Sequence, residues 1–350
     1  MQIGGGRHKI GSGLTLFLAI SVTSAIVVIF LTADESTWTS LAGMRRGHIA
    51  LAGALMVAQW CLNAVRFRIL VNSLGNEVSF ATSFKAFMAN IFMGAVTPSQ
   101  TGGGPAQIYI LHRDGVPVAR AFAGCLMGAV LTVICLVASA LTVLVSNPGL
   151  RADFGARMTG ILIAAVLVFC LLVVTFVLSI VRTGLMKRVI GRTLLAIMGV
   201  LRIGKRTAIT ERVLDGIDQY RESMAVFART RKRRILLALF FTMAAIATNA
   251  LIAPALLAGL DVEFDFRTLY PAQFILFFIA YFGPTPGASG IAEFSNLWLL
   301  TTLSIQPNML GIYTVLWRFF TVFIGVAVGG LVIMSVIARS AGGRTLTRQY

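Results

Sequence analysis

Gly283-Pro284-Thr285-Pro286-Gly287-Ala288-Ser289-Gly290-Ile291-Ala292-Glu293 interrupts a long apolar run. An earlier stretch repeats its pattern: Thr97-Pro98-Ser99-Gln100-Thr101-Gly102-Gly103-Gly104-Pro105-Ala106-Gln107. Both read Thr-Pro, small polar residues, Gly, one residue, Ala, then Gln or Glu. The first copy is two residues longer. Each follows an aromatic apolar run, with Phe84, Phe87 and Phe92 in one and Phe274, Phe277, Phe278, Tyr281 and Phe282 in the other. Proline lacks the N–H a helix interior needs, and glycine tolerates positive φ, so each cluster breaks a helix. Pro105 suits the first turn of the helix that restarts. The pattern in both places is half-helix, break, half-helix.

The surroundings are membrane-like. Of 350 residues, 57% are hydrophobic and 12% are charged, about half the charge of a soluble domain. Six full spans are expected, at roughly 10–32, 49–72, 119–146, 157–181, 234–259 and 309–337, each long enough to cross the hydrocarbon core. The apolar run Ile10–Leu31 is about twice a signal-peptide core and no A-x-A site follows, so a retained anchor is expected.

The net charge of +17 lies between the apolar runs, which points to topology and anionic lipid rather than nucleic acid. The segment 182–234 carries fourteen Lys or Arg and should be cytoplasmic. Arg7 and Lys9 at one terminus, and Arg339, Arg344 and Arg348 at the other, put both termini on the same side. Asp261, Glu263 and Asp265 mark an outer loop. With six crossings, the apolar regions 81–112 and 268–306 must each enter and return on one side, as re-entrant hairpins. Backbone that breaks at that depth must be buried in protein or line a polar cavity.

The fold class is therefore an all-α polytopic membrane protein: six full transmembrane helices plus two re-entrant helical hairpins in an inverted repeat. The whole chain, 1–350, reads as one membrane domain, with repeat 1 at about 49–146 and repeat 2 at about 234–337. Between them, 187–233 reads as a cytoplasmic amphipathic segment, with charges at helical spacing and an apolar stripe through Ile209, Val213, Leu214, Ile217 and Met224. Interrupted segments at matching places in two inverted halves point to a transport site.

The restarting half-helices would offer free N–H groups and a positive dipole end to an anion, of which a phosphate is the obvious one on a lipid. The candidate binding residues are Thr97, Pro98, Ser99, Gln100, Thr101, Gly102, Gly103, Gly104 and Gln107 in the first hairpin. Thr285, Pro286, Gly287, Ser289, Gly290 and Glu293 serve the second, with Arg318 from the last span. Glu293 and Arg318 lie at membrane depth, where an unpaired charge is expensive. They can pair with each other or meet a substrate charge. Gln107 takes the place of Glu293 in the repeat, so the halves differ in charge. Arg66, Arg68 and Lys85 are expected to snorkel to the cytoplasmic face, and Asn63, Asn90 and Asn249 to hydrogen-bond between helices.

Cys61, Cys125, Cys135 and Cys170 lie in apolar runs without CxxC spacing, and His8, His48 and His112 are scattered. No metal site and no cofactor is expected. GxSxG, HExxH and Walker A motifs are absent from the sequence, and no catalytic residue is assigned.

The two motifs resemble those of the lysylphosphatidylglycerol synthase transmembrane-domain family, also described as the flippase-like domain. GPTPGASGIAE at Gly283–Glu293 is similar to the family's PTPGGSGxxE hairpin. Gly94–Gln107 followed by Ala119–Ala123 resembles its first glycine-rich hairpin, and Arg66–Leu70 fits the span end before it. The resemblance covers roughly 10–338. It implies a helix bundle that translocates phospholipid or a related lipid. In the larger synthases a soluble aminoacyl-transferase domain follows; none is seen up to Tyr350, so lysyl transfer is not expected. Many relatives carry an acidic residue where this chain has Gln107.

The expectation is thus translocation of a lipid with an anionic headgroup across a bacterial-type cytoplasmic (inner) membrane, without enzymatic activity. A membrane-embedded lipid-modifying enzyme and a scaffold of a lipid-biosynthesis complex are the alternatives, and a small-solute transporter is a third. A homo-oligomer or lipid-biosynthesis enzymes are the protein partners left open.

Overall fold

The computed structural model describes residues 41–147 and 232–346, with ten isolated positions elsewhere. The expected spans at 10–32 and 157–181, and the segment 187–233 up to Lys232, lie outside the described residues apart from those isolated positions. Among the described residues every regular element is helical. In chain order these are α1 (Arg46–Asn72), α2 (Phe80–Ala95), α3 (Gly103–Arg113), α4 (Val118–Ser146), α5 (Lys232–Ala250), α6 (Ile252–Gly259), α7 (Phe266–Tyr281), α8 (Ile291–Thr302), α9 (Pro307–Arg318) and α10 (Ile324–Leu346). Short 3₁₀ turns at Pro98–Gln100 and Pro286–Ala288 join α2 to α3 and α7 to α8. A π-helical turn at Phe319–Phe323 joins α9 to α10.

Among the described residues four helices are long and apolar enough to cross a membrane: Arg46–Asn72, Val118–Ser146, Lys232–Gly259 and Asn308–Val336. They match the expected spans to within a few residues. The third bends at Leu251, because Pro254 removes the N–H that the Ala250 carbonyl would accept. By contrast α2 and α7 have 16 residues each, about 24 Å of helix, short of a hydrocarbon core of about 30 Å. Their partners α3 and α8 are shorter still.

Local chemistry sets the helix ends. The Ser79 hydroxyl accepts from Thr82 N–H at 3.0 Å to start α2, and the Asp265 carboxylate accepts from Arg267 N–H at 3.0 Å to start α7. That capping, with the Thr268 hydroxyl, holds the exposed Asp265 carboxyl below its ordinary range.

The contacts fix which ends lie together. Gly124 of α4 packs on Val71 of α1 and on Leu74 just beyond it, and Gly128 on Leu70 and Arg66 of α1, so these two helices run antiparallel. The base of the α2–α3 hairpin sits at the far end of α1: Thr82 donates to Asp114 at 2.7 Å and Arg68 to the Val78 carbonyl at 3.1 Å. Arg234 at the start of α5 donates to the Asn72 carbonyl at 3.2 Å, and Arg113 donates to the Val336 carbonyl. This is the basic end. At the opposite end Arg45 N–H donates to the Gly259 carbonyl at 3.1 Å and its guanidinium pairs with Asp261 at 2.7 Å. The α7–α8 hairpin starts and finishes there. The two hairpins therefore point toward each other from opposite ends of the bundle, flanked by long helices in opposite order.

Their breaks meet in the middle. Ser99 N–H donates to the Pro284 carbonyl at 3.2 Å. One apolar core, including Met56, Trp60, Leu136, Leu256, Leu276, Leu299, Tyr313 and Trp317, surrounds this junction. Glycine lets helices approach closely where no hydrophobic drive from water exists. A side chain at Gly329 of α10 would collide with the Met88 carbonyl and press on Phe92 of α2. Gly329→Leu should therefore lower stability by about 1–3 kcal/mol or more, read as a reduced Tm in detergent. Gly104→Ala, with no neighbour within 4 Å, should stay within about 1 kcal/mol of the parent. Equal Tm values for the two variants would contradict this packing.

Candidate functional site

The two breaks are the same turn built twice. Ser99 and Gln100 have φ of 49° and 56°, and Gly287 and Ala288 have 57° and 53°. Three of these four are not glycine, so each break holds left-handed backbone that L-residues resist. Each helix resumes five residues after its proline, at Gly103 after Pro98 and at Ile291 after Pro286. Glu293 is accordingly the third residue of α8, and the third residue of α3 is Pro105. Gln107 is the fifth, buried, and does not occupy the structural place of Glu293 as the motif spacing suggests. The charge difference between the halves stands, but the register differs because the first copy spends its extra residues in helix.

Each restart has one amide capped from within its own break. The Gly290 N–H donates to Glu293 Oε2 at 2.7 Å, so the start of α8 carries its own carboxylate. The Gly102 N–H donates to Thr97 Oγ1 at 2.8 Å, and that hydroxyl donates to the Met93 carbonyl at 2.6 Å. Thr97, Gly102, Gly290 and Glu293 thus brace the breaks from inside. Gly103 packs against Asn90, and Thr101 donates to the Pro98 carbonyl at 3.0 Å. Pro98, Ser99 and Thr101 are exposed, and Pro286 and Ser289 are buried. Gly104 stands clear of neighbours, and the half-buried Thr285 has a hydroxyl without a partner.

Arg318 ties the second break to α9. Its Nε lies 2.8 Å from Glu293 Oε1, and its Nη2 donates to the Gly287 carbonyl at 3.1 Å and to Ser289 Oγ at 3.2 Å. Arg318 and Glu293 are 3% and 2% exposed, so each needs the other. Arg318 is the last residue before the π-helical turn, a distortion found often at functional positions. The same polar seam continues one turn along, where the Asn296 amide donates to Thr314 Oγ1 at 3.5 Å.

Against the tips lies a cavity of about 320 Å³, within the range of small-ligand sites. Gln100, Gly287 and Arg318 are the expected site residues that line it. The other polar lining residues are Gln59, Asn63, Asn90, Thr132, Asn249, Tyr281 and Thr321. Asn63 does not bond across helices; it donates to the Gln59 carbonyl and to Gln59 Oε1, both at 2.9 Å. Trp317 Nε1 and Asn249 Oδ1 are buried at this cavity with no partner, a state that native interiors rarely leave unexplained.

Arg66 does not snorkel. It turns inward to α4, donating to Thr132 Oγ1 at 2.7 Å, because Gly128 opens room for its guanidinium there. Arg68 and Lys85 are exposed, as expected. The missed signal was on α1: Gln59, Asn63 and Arg66 fall at i, i+4 and i+7, one polar stripe on an apolar span. Among the described residues, no group of His, Cys, Asp and Glu is placed to hold a metal ion, and Cys61, Cys125 and Cys135 are free thiols.

The buried pair makes a direct prediction. Glu293→Gln or Arg318→Met should each destabilise the protein by about 3–5 kcal/mol, and the double variant should recover much of that loss. Unfolding of the four proteins in detergent measures the coupling; simple addition of the two losses would show that the pair is not a unit.

The comparisons with known proteins agree with this architecture. A protein named UPF0104 membrane protein, from Archaeoglobus fulgidus, is 26% identical over 314 residues, which is 90% of this chain and 94% of the relative. The family model described as the lysylphosphatidylglycerol synthase TM region matches residues 15–329, a range that takes in both Thr-Pro breaks, Arg66 and Arg318. This multi-pass membrane protein thus belongs to the lysylphosphatidylglycerol synthase transmembrane-region family.

Proposed function

We propose that the chain translocates a phospholipid or related lipid across a bacterial-type cytoplasmic membrane, holding the headgroup in the cavity between the two hairpin tips. The observation that carries this reading is the cavity itself. Polar side chains are set into its apolar wall, it lies where two helix breaks meet inside an apolar bundle, and buried polar atoms at its wall lack partners. A lipid headgroup crossing the bilayer needs polar contacts at mid-depth.

The topology that suits this reading has six full spans and two re-entrant hairpins. Arg68, Arg113, Arg120, Lys232, Arg233 and Arg234 gather at one end of the bundle, so by the positive-inside rule that end and both termini are cytoplasmic. The first hairpin then enters from the cytoplasm and the second from outside. The protein works as a carrier and not as an enzyme, with membrane lipids as its partners.

Purified protein in vesicles containing fluorescent lipids of several headgroups tests this. A membrane-impermeant quencher should reach inner-leaflet label faster than in protein-free vesicles. Ala280→Trp, which fills the cavity, should return the rate to that of protein-free vesicles with Tm retained. If wild-type vesicles match protein-free ones for every headgroup, the translocation reading fails.

A further inference from the structure

We propose that Arg66 is the counter-ion of the transported headgroup, so that the cavity selects a lipid carrying one net negative charge, a phosphodiester esterified to an uncharged alcohol. This rests on the translocation reading and names its substrate class.

The charge inventory around the cavity leads there. Among the described residues three charged side chains lie at or beside its wall: Arg318 lines it, Glu293 pairs with Arg318, and Arg66 bonds to the lining residue Thr132. Arg318 is neutralised by Glu293 at 2.8 Å and held further by the Gly287 carbonyl and the Ser289 hydroxyl. Among the described residues the ion pairs are this one and Arg45–Asp261 at the surface. Among the described residues Arg66 has no carboxylate partner. Within the described residues the site therefore carries one positive charge without an acidic partner inside an apolar bundle, which favours a partner of opposite charge.

Geometry places that charge at the cavity. Gln59, Asn63 and Arg66 share one face of α1, and the first two line the cavity. Arg66 Nη1 donates to Thr132 Oγ1 at 2.7 Å, and Thr132 also lines it. Arg66 Nε is buried and bonds to nothing. Thr132 in turn donates to the Gly128 carbonyl at 2.9 Å, so its lone pair is presented to Arg66 and the guanidinium is positioned. A phosphodiester oxygen is an acceptor for the free guanidinium N–H and for Trp317 Nε1. Asn249 Oδ1, an acceptor without a donor, suits a hydroxyl of the alcohol. A zwitterionic headgroup would bring a second cation, for which no free carboxylate waits among the described residues at this wall.

The same vesicle assay, run with phosphatidylglycerol, phosphatidylcholine and an uncharged glycolipid, reads the selectivity. Wild type should move phosphatidylglycerol about tenfold faster than the other two, the worth of one charge-assisted contact. Arg66→Gln should erase that preference while still moving phosphatidylcholine, and Arg66→Lys should keep it. Lipid movement with the same anionic preference in Arg66→Gln, or no preference in wild type, overturns the proposal while leaving translocation standing. Uptake of glycerol phosphate that needs Arg66, with no lipid moved, would keep the anion site and sink the lipid reading. If Arg66→Gln fails to fold, short-chain lipids on wild type decide: Tm should rise with dihexanoyl phosphatidylglycerol and not with dihexanoyl phosphatidylcholine. Equal protection by both overturns the assignment.

Discussion

A helix that stops leaves amides and carbonyls without intrahelical partners, and this chain breaks two helices where their tips meet. Each break is closed by its own side chains, Thr97 in one and Glu293 in the other. The breaks are then closed against each other, Ser99 N–H to the Pro284 carbonyl. The rest of the bundle serves that junction. Long helices α1, α4, α5–α6 and α9–α10 flank it, and glycines at Gly128 and Gly329 let α4 approach α1 and α10 approach α2 closely.

The electrostatics follow from the same constraint. Capping α8 with a carboxylate places a negative charge at depth, and a buried carboxylate needs a cation. Arg318 supplies it from the span opposite, and its second nitrogen also takes up the Gly287 carbonyl that the left-handed turn leaves free. Backbone geometry at the tip, the acid at Glu293 and the base at Arg318 are one interlocked device. Arg66 stands outside that device, with a threonine for a partner instead of an acid. The distinction separates the charges that hold the tip together from the charge left available to a ligand.

Much of the fold was legible from local chemistry. Apolar length marked the four long spans, and the Thr-Pro clusters marked both breaks, because proline and glycine act on their own backbone and need no partner to do so. The site was legible in part. Glu293 and Arg318 stood out as charges at depth, and they do meet. One amide at each restart is capped, since a hydroxyl or carboxylate a few residues away reaches it first. Asn63 bonds within its own helix, and Arg66, read as reaching for the interface, faces α4.

The sequence by itself determined the elements and their interruptions: spans long enough for the bilayer, two breaks at matching places, and an acid and a base that could not stay alone. Only the tertiary structure decided which polar groups share a cavity. Gln59, Asn63, Asn90, Asn249 and Tyr281 come from helices far apart in the chain, and their convergence depends on helix rotation and close packing at glycines. Helix rotation is set by the sum of many weak contacts between distant segments, so no local pattern encodes it. The direction in which Arg66 points depends on that sum, and with it which charge is left free to meet a substrate.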